Sequence, residues 1–179
     1  MSQPFLPEIH TKRLTLRPFQ KGDAQDLYEY LSDPEVVRFE PYRPYTLESC
    51  GQEAENRSKN PAFIAVVLLG DKVIGNVYLA KQNDYTWEVG WVFNRAFQHH
   101  GYATEAAHAA MDWAFRQQSA HRIIAMCDPR NPASWKLMER LGMRREGEWK
   151  KNVFFFRDEN GNPLWKDTYQ YAVLAEEWK

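Results

Sequence analysis

Alternating apolar and polar positions near the start of the chain predict a strand, and the apolar residues that follow are spaced as in an amphipathic helix. Residues 11–19, TKRLTLRPF, alternate leucines with polar neighbours and predict the first strand. Asp23 is placed to cap an amphipathic helix over residues 24–31. A proline-rich connection comes next, and Thr46 is placed to cap a polar helix that ends at about Ser58.

The middle of the chain predicts a hairpin, a third strand and a long helix. Two apolar runs, residues 63–69 and 73–79, flank the turn GDK, which is typical of a β-hairpin. Residues 85–93, YTWEVGWVF, predict a further strand. Alanines and larger apolar residues at helical spacing predict a closely packed helix over residues 102–118.

The last third alternates between strand and helix and then becomes β-rich. Residues 122–127 predict a short buried strand, and the following helix ends at Leu141 with Gly142 as its C-terminal cap. Two more strands flank a turn that contains Asn160 and Gly161. Because hairpins are followed by alternating strands and helices, we expect an α/β (α+β) protein with a mixed sheet of about seven strands flanked by helices. No linker is evident, so residues 1–179 are interpreted as a single domain.

Composition narrows the classes of partner. The formal net charge is −1, so no overall field favours nucleic acid or an anionic membrane. The longest apolar run, residues 62–69, is far shorter than the ~20 residues that cross a bilayer. Cys50 and Cys127 have no spacing typical of a disulfide framework or zinc site, which indicates free thiols and a cytoplasmic location. No signal-peptide h-region is seen at the N-terminus.

Residues 98–106, QHHGYATEA, form a predicted turn between a strand and a helix. Backbone N–H groups at a helix start, together with the helix dipole, favour a phosphate or pyrophosphate. Gly101 allows close approach of the backbone, and the small Ala103 keeps the first turn uncrowded. The common nucleotide signatures, a P-loop and G-x-G-x-x-G after a strand, are absent from the sequence.

The pattern Q-x-x-G-x-A at residues 98–103 resembles the Q/R-x-x-G-x-G/A motif of the GNAT (Gcn5-related N-acetyltransferase) superfamily. Further segments resemble its RimJ/RimL branch in order and spacing: TKRLTLRPF at 11–19, DPEVVRF at 33–39, WEVGWVF at 87–93, GYATEA at 101–106, NPASWKLMERLGM at 131–143 and KDTYQYAVLAEEW at 166–178. The resemblance implies a mostly antiparallel twisted GNAT sheet and an acetyl-CoA-dependent N-acetyltransferase. The acetyl group would pass to a primary amine by direct attack in a ternary complex.

The resemblance also assigns residues to the coenzyme. The strand before the turn splays from its neighbour in the family, and this role falls on Val92 and Phe93, with a backbone N–H of that strand polarising the thioester carbonyl. The pyrophosphate would lie on the turn, and Asn131 would touch the pantetheine arm. The full set of expected coenzyme contacts is Val92, Phe93, Gln98, His99, His100, Gly101, Tyr102, Ala103, Thr104, Asn131 and Lys136.

Two side chains are the catalytic candidates. Glu88 lies between Trp87 and Val89, and an apolar setting would raise its pKa towards that of a general base, although a solvated strand glutamate is an equal alternative. Many GNAT enzymes protonate the leaving thiolate with a tyrosine that corresponds here to Met138, so the tyrosine is absent. Ser134, which RimJ/RimL relatives offer instead, is our candidate proton donor. Asn131 equally suits a helix cap, and Lys136 a solvated surface lysine.

The histidines of the turn raise a competing hypothesis. A metal-dependent hydrolase using His99 and His100 would need converging ligands, and adjacent histidines in a turn generally diverge. No partner motif accompanies them, so we expect no metal.

The acceptor side is expected to be an aromatic wall that suits an apolar or cationic amine. Candidate residues are Tyr42, Tyr85, Trp87, Trp149 and Phe154, although core packing is a strong alternative for most of them. RimJ/RimL relatives act on protein N-terminal amines, and the branch includes enzymes for small-molecule amines. A non-catalytic acyl-CoA-binding or partner-binding module remains the alternative function. Pairing of exposed strands near the C-terminus would give a homodimer.

Overall fold

The computed structural model describes residues 3–68 and 70–179, and over these residues it forms one sheet of eight strands with four α-helices. The strands are β1 (Ile9–His10), β2 (Leu14–Pro18), β3 (Phe63–Leu68), β4 (Lys72–Lys81), β5 (Thr86–Phe93), β6 (Arg122–Cys127), β7 (Arg144–Arg157) and β8 (Pro163–Leu174). The helices are α1 (Ala24–Leu31), α2 (Leu47–Ser58), α3 (Tyr102–Gln117) and α4 (Pro132–Arg140). Met1, Ser2 and Leu69, the last residue of one predicted strand, lie outside the described residues.

The strand order β1-β2-β3-β4-β5-β6-β8-β7 confirms the predicted fold class. β5 and β6 are parallel, and the other neighbouring pairs are antiparallel. The two-residue β1 is the strand that the apolar pattern did not predict, since so short a segment carries no periodicity. Thr46 caps α2 as predicted, its side chain accepting a hydrogen bond from the backbone N–H of Ser49.

Asp23 does not cap α1 through its side chain, so this prediction was wrong. Its carboxylate instead accepts hydrogen bonds from the Arg17 guanidinium at 2.8 and 2.9 Å and from the Gln20 backbone N–H at 2.7 Å. A charge-assisted bidentate pair of this kind is stronger than a neutral cap, and it directs the carboxylate away from the helix.

The helices cover both faces of the sheet, and alternation along β5 shows which residues face which layer. Trp87 and Val89 belong to the core that includes the α3 residues, whereas Val92 packs with the core of α1 and α2. Because successive strand side chains point to opposite faces, Glu88 and Gly90 lie on the same face as Val92. The even positions of β5 therefore face the α1 and α2 side of the molecule.

The sheet opens into a wedge between β5 and β6. Within the described residues, the two strands pair only from Thr86 to Glu88, whereas β6 continues along β8 to Cys127. The other edge of β5 stays paired with β4 through Phe93. Backbone groups of residues 89–93 that face away from β4 are therefore available to a ligand.

No helix in the described part of the chain combines the length and the apolar character needed to cross a membrane.

Candidate active site

A cavity of about 1550 Å³ occupies the wedge and extends over the α1 and α2 face of the sheet. It is bounded by β5, the turn before α3, the start of α4, and the connection between α1 and α2. A typical small-molecule pocket is about 300–1,000 Å³, so this one has room for two ligands side by side.

The turn before α3 presents its backbone to the cavity. Two residues of this turn have a left-handed backbone conformation: Gly101 with φ of 80° and His99 with φ of 64°. Among the described residues, no acceptor is hydrogen-bonded to the backbone N–H groups of residues 99–104. Unpaired N–H groups at the start of a 16-residue helix make a site for an anion such as a pyrophosphate.

The residues of this turn differ in whether they line the cavity. Gln98, His99, Gly101, Tyr102, Ala103 and Thr104 line the cavity. The imidazole of His100 instead stacks on the Tyr102 ring, with 5.5 Å between ring centroids, and its Nδ1 lies 2.7 Å from the Gln98 carbonyl oxygen. The structure therefore does not place the His100 side chain in the cavity. In the described residues no three His, Cys, Asp or Glu side chains are grouped in a way that could hold a metal ion.

Arg13 and Glu105 brace the turn from behind, a role that local sequence patterns did not reveal. Arg13 donates from Nη1 to the His100 carbonyl at 2.9 Å and from Nε to Glu105 at 2.7 Å. Its guanidinium lies 4.6 Å from the centre of the Tyr102 ring. These contacts join the turn between β1 and β2 to the first turn of α3 across about ninety positions of sequence, which no local spacing encodes.

The start of α4 brings polar side chains to the other wall of the wedge. Asn131 caps the helix, its side chain accepting from the Ser134 backbone N–H at 3.3 Å. Burial raises the pKa of the Cys127 thiol to about 11, against the opposing influence of the nearby Ser134 hydroxyl, so this thiol keeps its proton at neutral pH. Asn131, Ser134 and the exposed Lys136 all line the cavity.

Glu88 lines the same cavity from β5. Burial raises the pKa of its carboxyl, and a 2.7 Å hydrogen bond from the Gln82 side chain opposes this effect. Its half-buried position agrees with the apolar setting that the sequence predicts for a general base. Val92 and Phe93, four and five residues further along β5, also line the cavity.

The structure brings one of the five predicted acceptor-side aromatics, Tyr42, into the cavity. Trp87 is 1% exposed and packs edge-on against Trp113 in the core beneath the opposite face, so its assignment to the acceptor wall was wrong. Alternation along β5 explains the error, because adjacent residues face opposite layers.

The other three aromatics also lie outside the cavity lining. Tyr85 precedes β5 and is 68% exposed, and Trp149 is an exposed residue of β7. Phe154 packs edge-on against Trp165, with ring centroids 5.2 Å apart. Phe155, its neighbour, lines the cavity instead.

Glu40 and Asn76 are polar cavity residues that the sequence did not single out. Burial raises the pKa of Glu40 to about 7, against the opposing hydrogen bond from Tyr42 and the charges of Arg57 and Lys166. Glu40 belongs to the proline-rich connection expected on the acceptor side, and its clustering with Asn76 follows from packing of that connection over β4.

Comparison with known proteins agrees with this arrangement. The family model for the acetyltransferase (GNAT) domain matches residues 13–144. An uncharacterized N-acetyltransferase, YnaD of Bacillus subtilis, is 41% identical over 173 residues, covering 95% of this chain and 98% of YnaD. The crystal structure of a GNAT-family acetyltransferase from Bacillus anthracis superimposes with a TM-score of 0.87 at 36% identity, covering 96% of this chain and all of that one.

Two more distant proteins carry names that state an acceptor. Spermidine N(1)-acetyltransferase of Escherichia coli is 25% identical over 176 residues, covering 96% of this chain and 92% of its own. The structure of ribosomal-protein-S5-alanine acetyltransferase from Vibrio fischeri has a TM-score of 0.76 at 25% identity, covering 97% of this chain and 99% of that one. With the splayed strands, the turn at Gly101 and the family match over residues 13–144, the chain belongs to the GNAT superfamily of N-acetyltransferases.

Proposed function

We propose that the protein transfers an acetyl group from acetyl-CoA to a primary amine. The observation that carries this proposal is the wedge between β5 and β6, which opens beside the unpaired N–H groups of the turn at Gly101. The wedge suits an extended pantetheine arm, and the turn suits the pyrophosphate to which that arm is joined. When bound, acetyl-CoA would supply an activated thioester.

The residues present fit such a coenzyme. A side chain at position 101 would stand in the left-handed region and approach the Arg13 guanidinium at 3.4 Å, so glycine keeps the turn open. Lys136, in the middle of α4, and Arg140, at its end, line the cavity and would add positive charge for phosphates. Gln98, Gly101, Tyr102, Ala103, Thr104 and Asn131 would complete the site with Val92 and Phe93, while the His99 and His100 backbones contribute N–H groups.

Each chemical task has a residue in the cavity. Glu88 would accept the proton of the substrate ammonium, directly or through water, because its raised pKa suits a base near neutrality. A backbone N–H on the free edge of β5 would polarise the thioester carbonyl. Ser134, which lines the cavity at the start of α4, would deliver or share a proton with the leaving thiolate.

The acceptor is proposed to be a protein N-terminal amine or a small-molecule amine, by likeness to the S5-alanine and spermidine enzymes. Glu40 and Glu88 in the cavity favour an ammonium group, and Tyr42 and Phe155 give it apolar and aromatic contacts. We also propose membership of the RimJ/RimL branch, one domain over residues 1–179, a cytoplasmic location and a homodimer. The half-buried and buried free thiols, Cys127 and Cys50, support a reducing compartment.

Thiol release from acetyl-CoA with a panel of amines and peptide N-termini tests the proposal. We expect turnover that falls by about 10²–10⁴ in Glu88→Gln, as is typical for loss of a general base. Asp84→Asn, which removes an exposed carboxylate at the preceding turn, is the matched control. Coenzyme binding without turnover of any amine would favour the alternative, a non-catalytic acyl-CoA-binding or partner-binding module. Failure to bind any acyl-CoA at millimolar concentration would reject the acetyltransferase and the acyl-CoA-binding module, and would leave the partner-binding module.

A further inference from the structure

The side-chain amide of Asn76 is held in one orientation at the floor of the cavity. Its Oδ1 accepts a hydrogen bond from Arg57 Nη1 at 3.0 Å and another from the Tyr30 hydroxyl at 3.0 Å. A guanidinium can only donate, so the oxygen of the amide must face Arg57 and the NH₂ group must point the other way. Arg57 is itself fixed by Glu53 at 2.7 Å and by the ring of Phe63.

The NH₂ group of Asn76 is left without a protein partner among the described residues. Asn76 is 2% exposed, yet it lines the cavity, so the surface that it keeps is turned towards the cavity. The NH₂ group therefore keeps contact with the solvent of the cavity. A ligand that presents an oxygen to this group would take the place of water as its partner.

The position of Asn76 separates it from the expected thioester. The wedge that suits the pantetheine arm lies between β5 and β6, whereas Asn76 is on β4, opposite Val92 and on the far side of β5. Neighbouring strands are about 4.8 Å apart, so Asn76 borders the space beyond the coenzyme path. The connection that carries Glu40 and Tyr42 lines the same space.

Charge in the cavity narrows the kind of oxygen that would bind there. Glu40 and Glu88 repel a carboxylate, whereas Lys166, which also lines the cavity, and Arg57, which holds the Asn76 amide, attract one. A polyamine offers ammonium groups and no acceptor for the Asn76 NH₂ group. A neutral amide carbonyl satisfies the donor without opposing the two carboxylates.

We propose that Asn76, positioned by Arg57, is a specificity-determining residue that donates a hydrogen bond to an amide carbonyl of the acceptor amine. This inference rests on the proposed acetyltransferase function. It selects amines that carry a nearby amide over polyamines.

Glycinamide and isobutylamine provide a test, because they have the same shape and number of heavy atoms but differ in the amide group. The quantity measured is the ratio of kcat/KM for glycinamide to that for isobutylamine, in which coenzyme effects cancel. Asn76→Asp keeps an oxygen for Arg57 and Tyr30 but loses the donor, and we expect the ratio to fall about tenfold or more. Asn76→Ala serves as a second variant, and exposed Asn56→Asp, the same chemical change on α2, is the control.

An equal loss of kcat/KM for both amines would place Asn76 at the thioester and would overturn the proposal. An unchanged ratio in a variant that still binds coenzyme A would overturn it as well. If wild type acetylates neither amine, the proposed function fails for these acceptors, and calorimetric binding to the coenzyme A complex decides about Asn76. Tighter binding of glycinamide than isobutylamine, lost in Asn76→Asp, supports the inference. Equal binding, or no binding of either amine, overturns it.

Discussion

Arg13 and Glu105 form an ion pair with 2.7 Å between Nη2 and Oε2, and this pair joins the turn before β2 to the first turn of α3, next to Gly101. Burial alone would raise the pKa of Glu105, but hydrogen bonds from Thr11 and Arg13 outweigh burial and hold it below its usual value. Such a carboxylate stabilises the fold above the pKa of the unfolded chain, and this stability is lost as the pH falls through the lower folded pKa. The turn is therefore fastened by a charged pair.

Arg13→Ala should weaken coenzyme A binding about five- to tenfold, because the His100 carbonyl and Glu105 lose their common partner. Titration calorimetry measures the affinity. Arg116→Ala, which removes an ion pair to Asp112 near the end of the same helix, should leave affinity unchanged. Equal effects of the two substitutions would contradict the bracing role.

Gly101→Ala should abolish the rise in melting temperature that coenzyme A produces. The substitution places a Cβ at φ of 80°, close to Arg13, and displaces the N–H groups of the turn. Gly142→Ala is the matched control, since Gly142 has φ of 76° but lies outside the cavity lining. In both variants backbone strain should lower the free energy of unfolding by about 1–2 kcal/mol. Only Gly142→Ala should keep the rise in melting temperature that coenzyme A produces.

Gly90→Val should fold normally and lose at least about 100-fold in kcat/KM. A Cβ at Gly90 would meet only the Tyr78 Cβ, at an ordinary 3.8 Å, so added atoms extend into the cavity between Glu88 and Val92. Circular dichroism and steady-state kinetics check the two parts. Thr86→Val introduces the same side chain elsewhere on the strand and should retain activity. A fully active Gly90→Val enzyme would show that the reaction does not use the part of the cavity between Glu88 and Val92.

The KM of a cationic acceptor should fall as the pH rises through about 7, the pKa of Glu40. A carboxyl with a raised pKa is neutral below that value and anionic above it, so attraction for an ammonium group increases with pH. Tyr42, Arg57 and Lys166 are the charged or titratable groups that act on it; burial raises the pKa of Tyr42 and lowers that of Lys166. Glu40→Gln should remove this step from the pH profile of KM, and a profile identical to wild type would exclude Glu40 from acceptor binding.

Ser134→Ala should lower kcat about tenfold with little change in the KM for acetyl-CoA, because the hydroxyl acts on the leaving thiolate. Ser58→Ala, which removes a hydroxyl from the end of α2, is the control. A solvent isotope effect on kcat that disappears in Ser134→Ala would support proton transfer through the hydroxyl. An unchanged kcat would mean that Ser134 contributes only its backbone N–H, which donates to the Asn131 side chain that caps α4.

The sequence by itself determined most of the elements and the turn that precedes α3. Helix α1 and strand β6 have the predicted bounds, and Thr46 and Asn131 cap their helices as expected. These features depend on hydrogen bonds and periodicity within a few residues. The match of several short motifs in order also identified the superfamily, which the family comparison confirms.

The tertiary structure decided which residues share the cavity. Trp87 and Glu88 are adjacent, yet one is core and the other faces the cavity, and the alternating pattern does not say which layer lies on which side. Asn76 gains its orientation from Arg57, nineteen positions earlier, and Gly101 lies in a turn braced by Arg13, which belongs to the turn between β1 and β2. The spacing of side chains along the sequence predicts which face of its own helix or strand a residue occupies. Packing between elements that are distant in sequence determines which residues or cavity that face contacts.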